Sequence, residues 1–165
     1  MTRRRLLAVA CLSLLCTYSG LAASVFSTAA EPRVKLFVVV QKASPLSDLS
    51  LRDLKRLYLG EHITDENGQQ LIPFNHPAAS PDRVGFDELV LKMNAETIAR
   101  FWVDRKIRGQ QPAPRGVAPR ELLLKVVASL PGAVAYLRGG EIDAQLKVIA
   151  IDGKLPDEAG YALQY

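Results

Sequence analysis

Five consecutive apolar residues, Leu36-Phe37-Val38-Val39-Val40, open the regular pattern of the chain. An unbroken β-branched run of this kind predicts a strand covered on both faces, as in a parallel or mixed sheet. A polar loop from Ser44 to Asp48 leads to Ser50, and Ser-Leu-Arg-Asp puts Asp53 in the N3 position of a capping box. The helix that follows runs to about Tyr58, with Leu51, Leu54, Leu57 and Tyr58 on one side, and Gly60 ends it. Asn67-Gly68 marks a turn, and Leu71-Ile72-Pro73-Phe74 is a short strand whose proline favours a sheet edge or a strand end. Ser80 then caps a helix with Pro81 at N1 and Asp82 at N2, burying Phe86, Leu89, Val90 and Met93. Asn94 caps a third helix to about Lys106, with Ile98, Phe101, Trp102 and Val103 facing inward.

Three prolines between Gly109 and Pro119 exclude regular structure there. A fourth helix over 120–130 buries Leu122, Leu123, Val126 and Val127 and stops at Pro131-Gly132. Strands follow over 133–137 and 146–151, then a turn at Asp152-Gly153, with residues 154–165 expected to dock only loosely. The order β-α-β-α-α-α-β-β, with no repeat, predicts a single compact α/β domain: a small mixed sheet flanked by helices.

The N-terminus carries a different pattern. Arg3, Arg4 and Arg5 precede a short apolar stretch from Leu6 to Leu15, and small residues follow at Ala22, Ala23, Ala29 and Ala30. This is the order of a secretory signal peptide, and the apolar run is shorter than the roughly 20 residues a membrane span needs. Cleavage after Ala23 or Ala30 fits, with Ala30 preferred, so residues 1–30 are expected to be a signal peptide and 31–165 the exported domain, its core about 36–153. Localisation in the periplasm follows, with no membrane span after cleavage.

Export changes how charge and cysteine are read. Residues 1–30 hold three arginines and no acid, so without them the 21 Lys+Arg fall to 18 against 17 Asp+Glu. Near-neutrality removes the argument for nucleic acid. Both cysteines, Cys11 and Cys16, also lie there, leaving the exported part without disulfide or thiolate metal chemistry.

No Walker A, G-x-G-x-x-G, G-x-S-x-G or H-E-x-x-H motif is present, and with His62 and His76 the only histidines a His-rich metal site is excluded. No catalytic residue, metal or cofactor is expected. The acids Asp53, Asp87, Glu88, Glu96 and Glu121 read as solvated helix faces. The junction from Phe74 to Arg83 is more informative, because a strand leading through small residues to a helix start presents N–H groups suited to an anion. Ser80 adds a hydroxyl and Arg83 a guanidinium, whose fork matches tetrahedral oxyanions. The stiff loop bearing Arg108 and Arg115, with Arg120 just beyond, is a second candidate, as a positive rim or a docking surface.

Several segments resemble phosphate-type periplasmic substrate-binding proteins of the type 2 periplasmic-binding-protein superfamily. They are Val38–Val40 with Leu49–Gly60, Ile72-Pro73-Phe74-Asn75 with Ser80–Phe86, Phe101-Trp102 with the 108–115 loop, Leu130–Tyr136, and Ile151-Asp152-Gly153. They occur in the family's order over about residues 36–153, and the nearest match is to short, stand-alone members. The resemblance implies a periplasmic-binding-protein-like fold, a non-enzymatic solute-binding role in phosphate transport, and ligand contacts at Asn75, His76, Ser80 and Arg83, with Arg115 on the rim. It also implies a small oxyanion as ligand and a membrane permease or envelope sensor as partner. The chain is too short for the family's two lobes. At the anion loop Ser80 matches the serine, Pro81 replaces a glycine, Asp82 replaces a threonine, and Arg83 stands in for an upstream arginine. Such a half-site needs closure by a homodimer or another protein. The alternative is a non-transport interaction or regulatory module that kept the fold and lost tight anion binding.

Overall fold

The computed structural model describes residues 34–139 and 142–164. The expected signal peptide lies outside them. Strand β1 (Leu36–Gln41) is the apolar run, and it pairs antiparallel with β5 (Ala133–Arg138), Val38 opposite Tyr136 and Val39 opposite Ala135. Its other edge takes β6 (Leu146–Val148), again antiparallel. On its far side β5 runs parallel to β3 (Ile72–Asn75), which in turn runs parallel to the two-residue β4 (Arg115–Gly116). The order β4-β3-β5-β1-β6 makes a five-stranded mixed sheet, as the apolar run requires.

Alternation along β1 feeds two cores. Leu36, Val38 and Val40, with Val134 and Tyr136, join the cluster under α1 (Leu51–Tyr58) and α2 (Pro81–Phe86). Val39, with Ala133, Ala135 and Leu137, joins the cluster under α4 (Arg120–Ser129), where Leu123 and Val127 are fully buried. The N-cap half of the expected capping box forms at α1: Ser50 Oγ accepts from Asp53 N at 2.9 Å, while the Asp53 carboxylate accepts from the Ser50 hydroxyl at 2.8 Å rather than from the Ser50 N–H.

Six expectations need correction. The proline-rich stretch 109–119 is not free of regular structure, because Arg115–Gly116 lies between its prolines and pairs with β3 as β4. Leu122 of α4 is exposed rather than buried, since α4 turns only Leu123 and Val127 fully inward. The strand over 146–151 does not run through: pairing with β1 ends at Ile149, whose N–H makes the last bond to it, to the Val38 carbonyl at 3.0 Å. The remainder, β7 (Ala150–Ile151), pairs with β2 (Asp48–Leu49) in a separate parallel ribbon. The tail is not loose: Tyr161 and Leu163 are buried, and Leu36 N donates to Leu163 O at 2.9 Å. The second helix does not run straight to Met93. After Phe86 it widens into a π-turn over Asp87–Leu91 and ends at Lys92 with φ 57°. Finally, Val103 on α3 (Ala95–Ile107) is exposed, because Ile98 is the only fully buried residue of that helix and Phe101 and Trp102 are half-buried.

Pro73 is accommodated inside the sheet. Ile72 N–H points to β5, bonding Gly132 O at 2.8 Å, so alternation turns the Pro73 nitrogen toward β4. There β4 meets β3 only at Phe74 and Asn75, past the position where an N–H would be missed.

Candidate functional site

The loop from Asn75 to Arg83 leaves the C-terminal end of β3, beside the C-terminal end of its parallel neighbour β5 at Arg138. Ligands of open α/β sheets bind outside the carboxyl ends of parallel strands. Pro77, Ala78 and Ala79 are exposed at the crest, and Ser80 is half-buried. Ser80 Oγ accepts from Arg83 N at 3.2 Å, the N-cap bond the sequence predicts.

Beneath the crest, four of the expected site residues come together, with each side chain already engaged. Asn75 is buried, and its Oδ1 accepts a short hydrogen bond from the Tyr136 hydroxyl. His76 is also buried, and its Nε2 lies 2.8 Å from Tyr136 O; a ring nitrogen facing a carbonyl carries the proton. The Tyr136 ring stacks on Phe86 with centroids 3.8 Å apart and stands 5.2 Å from the His76 ring. Burial pushes the Tyr136 hydroxyl well above its ordinary titration range.

Arg83 turns away from the crest. Its Nε donates to Asp87 Oδ2 at 2.6 Å, and both side chains are nearly buried. Asp87 therefore is not the solvated helix-face acid expected from the sequence. The i,i+4 spacing of the pair was visible, but the inward turn of Asp87 at the start of the π-turn was not. Burial raises the Asp87 pKa, and the hydrogen bond and charge of Arg83 work against that rise.

Asp82, already placed in the anion loop by the resemblance, and Arg138, which was missed, complete the cluster. Asp82 Oδ1 lies 3.0 Å from Arg138 Nε, and its Oδ2 lies 3.9 Å from His76 Nε2. A carboxylate thus sits at the rim of the loop expected to take an anion. The helix start is also weaker than anticipated, since α2 has only six residues before the π-turn and its macrodipole is correspondingly short.

Arg115 does not join this group. It stands opposite Phe74 on β4, and Phe74 and Val117 belong to the α4-side core. Asn75 faces the other side, toward Tyr136, so the sheet separates Arg115 from the loop. The basic cluster anticipated around 108–120 disperses likewise. Arg108 pairs with Asp104 at 3.1 Å, and Arg120 donates to Arg138 O at 3.1 Å. Among the described residues no helix is long and apolar enough to cross a membrane.

No protein-family model matches the chain, and no curated protein does. Solved structures do. An ABC-type phosphate transport receptor from Vibrio cholerae superposes with TM-score 0.60 at 20% identity, covering 75% of this chain and 48% of the receptor. A phosphate ABC transporter substrate-binding protein with bound phosphate from Clostridium perfringens, so described provisionally, gives TM-score 0.63 at 17% identity, covering 80% of this chain and 53% of that one. PstS from Borrelia burgdorferi gives 0.61 at 12% identity, with 80% and 55% covered. The chain therefore has the fold of phosphate-type substrate-binding proteins, over about half the length of the solved proteins it matches.

Proposed function

We propose that this chain is an exported, non-enzymatic binding module of the periplasm. It presents the Asn75–Arg83 loop as half of a site for a small oxyanion of the phosphate type. The observation that carries this reading is the convergence of Asn75, His76, Ser80 and Arg138 at the C-terminal ends of two parallel strands, in a fold shared with phosphate-binding proteins. A second copy, a transporter permease or an envelope sensor supplies the missing half.

The half-site is weak by itself. Micromolar affinity needs about −8 kcal/mol. Charge-assisted hydrogen bonds supply about 1.5–3 kcal/mol each. Here Arg83 is held by Asp87, Ser80 by its cap, and Asp82 opposes an anion. These offsets put the solitary chain on the order of millimolar affinity for phosphate. The same three contacts favour a second reading: an interaction or regulatory module that keeps the fold without the anion.

Calorimetry with phosphate, sulfate and acetate separates the two. Weak phosphate heat that strengthens in Asp82→Asn and weakens in Ser80→Ala supports the half-site. Silence with all three anions, in the protein and in Asp82→Asn, leaves only the interaction module. Export has its own check in the intact mass of the protein recovered from the periplasm. A chain beginning at Glu31 agrees, and one still beginning at Met1 overturns it.

A further inference from the structure

Of the sheet's two edge strands, β4 and β6, the first presents a short open edge that faces a groove. Val117 N donates to Asn75 O at 2.8 Å, so alternation along β4 turns the Gly116 N–H and C=O away from β3 and outward. Gly116 has no side chain to cover them. Beside this edge, between β4 and α4, lies a hollow of about 500 Å³ lined by Arg115, Gly116, Val117, Leu122, Val126 and Leu130 among others. Leu122 is 47% exposed and Leu130 36%, although both are large and apolar. Arg115 is the only charged residue lining the hollow, and among the described residues its guanidinium makes no ion pair or side-chain hydrogen bond.

We infer that this groove takes the C-terminal tail of a partner protein, added as a further strand on β4, with apolar side chains against Leu122, Val126 and Leu130 and its terminal carboxylate on Arg115. Each part of the occupant answers a feature of the groove. Outward N–H and C=O groups call for an extended backbone, as in strand addition to a sheet edge. Alternate residues of that strand face the apolar wall. An unpaired arginine at the edge calls for an acid, which its fork binds through two parallel hydrogen bonds. The open stretch is short, bounded by Pro114 and Pro119, which lack an N–H to continue a ladder. A chain end fits such an edge, whereas an internal segment must run on past it.

A second copy of this chain fits less well. Pairing two β4 edges through Gly116 brings two Arg115 guanidiniums onto one face of the joined sheet, and the groove's lining holds no acid to separate them. The groove lies on the opposite face of the sheet from the Asn75–Arg83 loop, so this inference does not depend on anion binding.

The test is selection of a random heptapeptide library with free C-termini on the full chain. A synthetic consensus peptide is then measured by fluorescence polarisation as the free acid and as the amide. We expect enrichment of alternating Val, Ile or Leu, and at least tenfold weaker binding for the amide. Arg115→Ala should lose a similar factor, Arg115→Lys should restore part of it, and Leu122→Glu should abolish binding. Both positions are exposed, and unchanged thermal melting checks that the variants fold. Bound peptide should also slow hydrogen exchange at the Gly116 amide. No enrichment beyond that on Leu122→Glu overturns the proposal, as does equal binding of acid and amide. Self-association that protects Gly116 and vanishes in Leu122→Glu overturns it too, by giving the groove to a second copy.

Discussion

Tyr161 donates its hydroxyl to the Leu36 carbonyl at 2.8 Å, joining residues 125 positions apart. The bond fixes the C-terminal tail against the first residue of β1, where Leu36 N–H also donates to Leu163 O. Both side chains are buried, and burial raises the Tyr161 hydroxyl above its ordinary titration range. The tail is thus part of the core. Tyr161→Phe should cost about 1–2 kcal/mol by leaving the Leu36 carbonyl without that donor. Tyr161→Ala adds a cavity and should cost about 3–5 kcal/mol. Urea unfolding of the two variants measures the difference. A loss below about 1 kcal/mol for the alanine would mean that the tail merely rests on the surface.

Arg83 and Asp87 form a nearly buried ion pair, and each strands the other when removed. Breaking such a pair on one side leaves an uncompensated charge and costs about 3–5 kcal/mol, whereas replacing both by apolar groups of similar volume is often neutral. Arg83→Met and Asp87→Leu should each destabilise strongly, and the double variant should recover most of the loss. A double-mutant cycle by chemical denaturation reads this directly. Additive single losses would show that the two groups act independently.

The pH dependence of Asp87 has a definite sign. Burial raises its folded pKa above the ordinary carboxylate value of 3.8, so in the window between the two the folded protein binds more proton than the unfolded chain. Its contribution to stability therefore grows as pH falls through the raised value toward 4, and shrinks as pH rises. Asp53 behaves oppositely. The Ser50 hydroxyl hydrogen bond leads in holding it below the ordinary value, and its contribution fades only at lower pH. The stability advantage of the protein over Asp87→Asn should be larger near pH 4 than at pH 7. An advantage that instead grows with pH would mean that Arg83 outweighs burial.

How far the sequence carried this picture depends on the range of the interactions. The double-faced burial of β1 and the caps at Ser50, Ser80 and Asn94 were legible, because each rests on residues within a few positions. The placing of Asn75, His76, Ser80 and Arg83 in one cluster followed from their nearness in the chain. What escaped came from across the sheet. Tyr136 reaches Asn75 from β5, Arg138 reaches Asp82, and Tyr161 reaches Leu36. Arg115 was misplaced because period 2 fixes a face only once register is known, and β4 is two residues long within a proline-rich loop. The fate of Asp87 depended on a π-turn, which no local spacing announces.

Gly132 and Gly68 share a backbone conformation, with φ +79° at each, and differ in what surrounds them. A Cβ at Gly132 would stand 2.2 Å from the Gln70 carbonyl oxygen, whereas one at Gly68 would meet nothing within 4 Å. Gly132 links α4 to β5 and accepts the Ile72 N–H at 2.8 Å, so displacing it also disturbs the start of the β3–β5 ladder. Gly68→Ala should lose about 1 kcal/mol, the conformational penalty of a left-handed alanine. Gly132→Ala carries that penalty plus a backbone clash, and should lose on the order of 3 kcal/mol or more. Urea midpoints of the two variants under one condition isolate crowding from conformation. Equal losses would show that Gln70 moves aside freely, and that the approach of β3 to the α4–β5 turn sets no limit on residue 132.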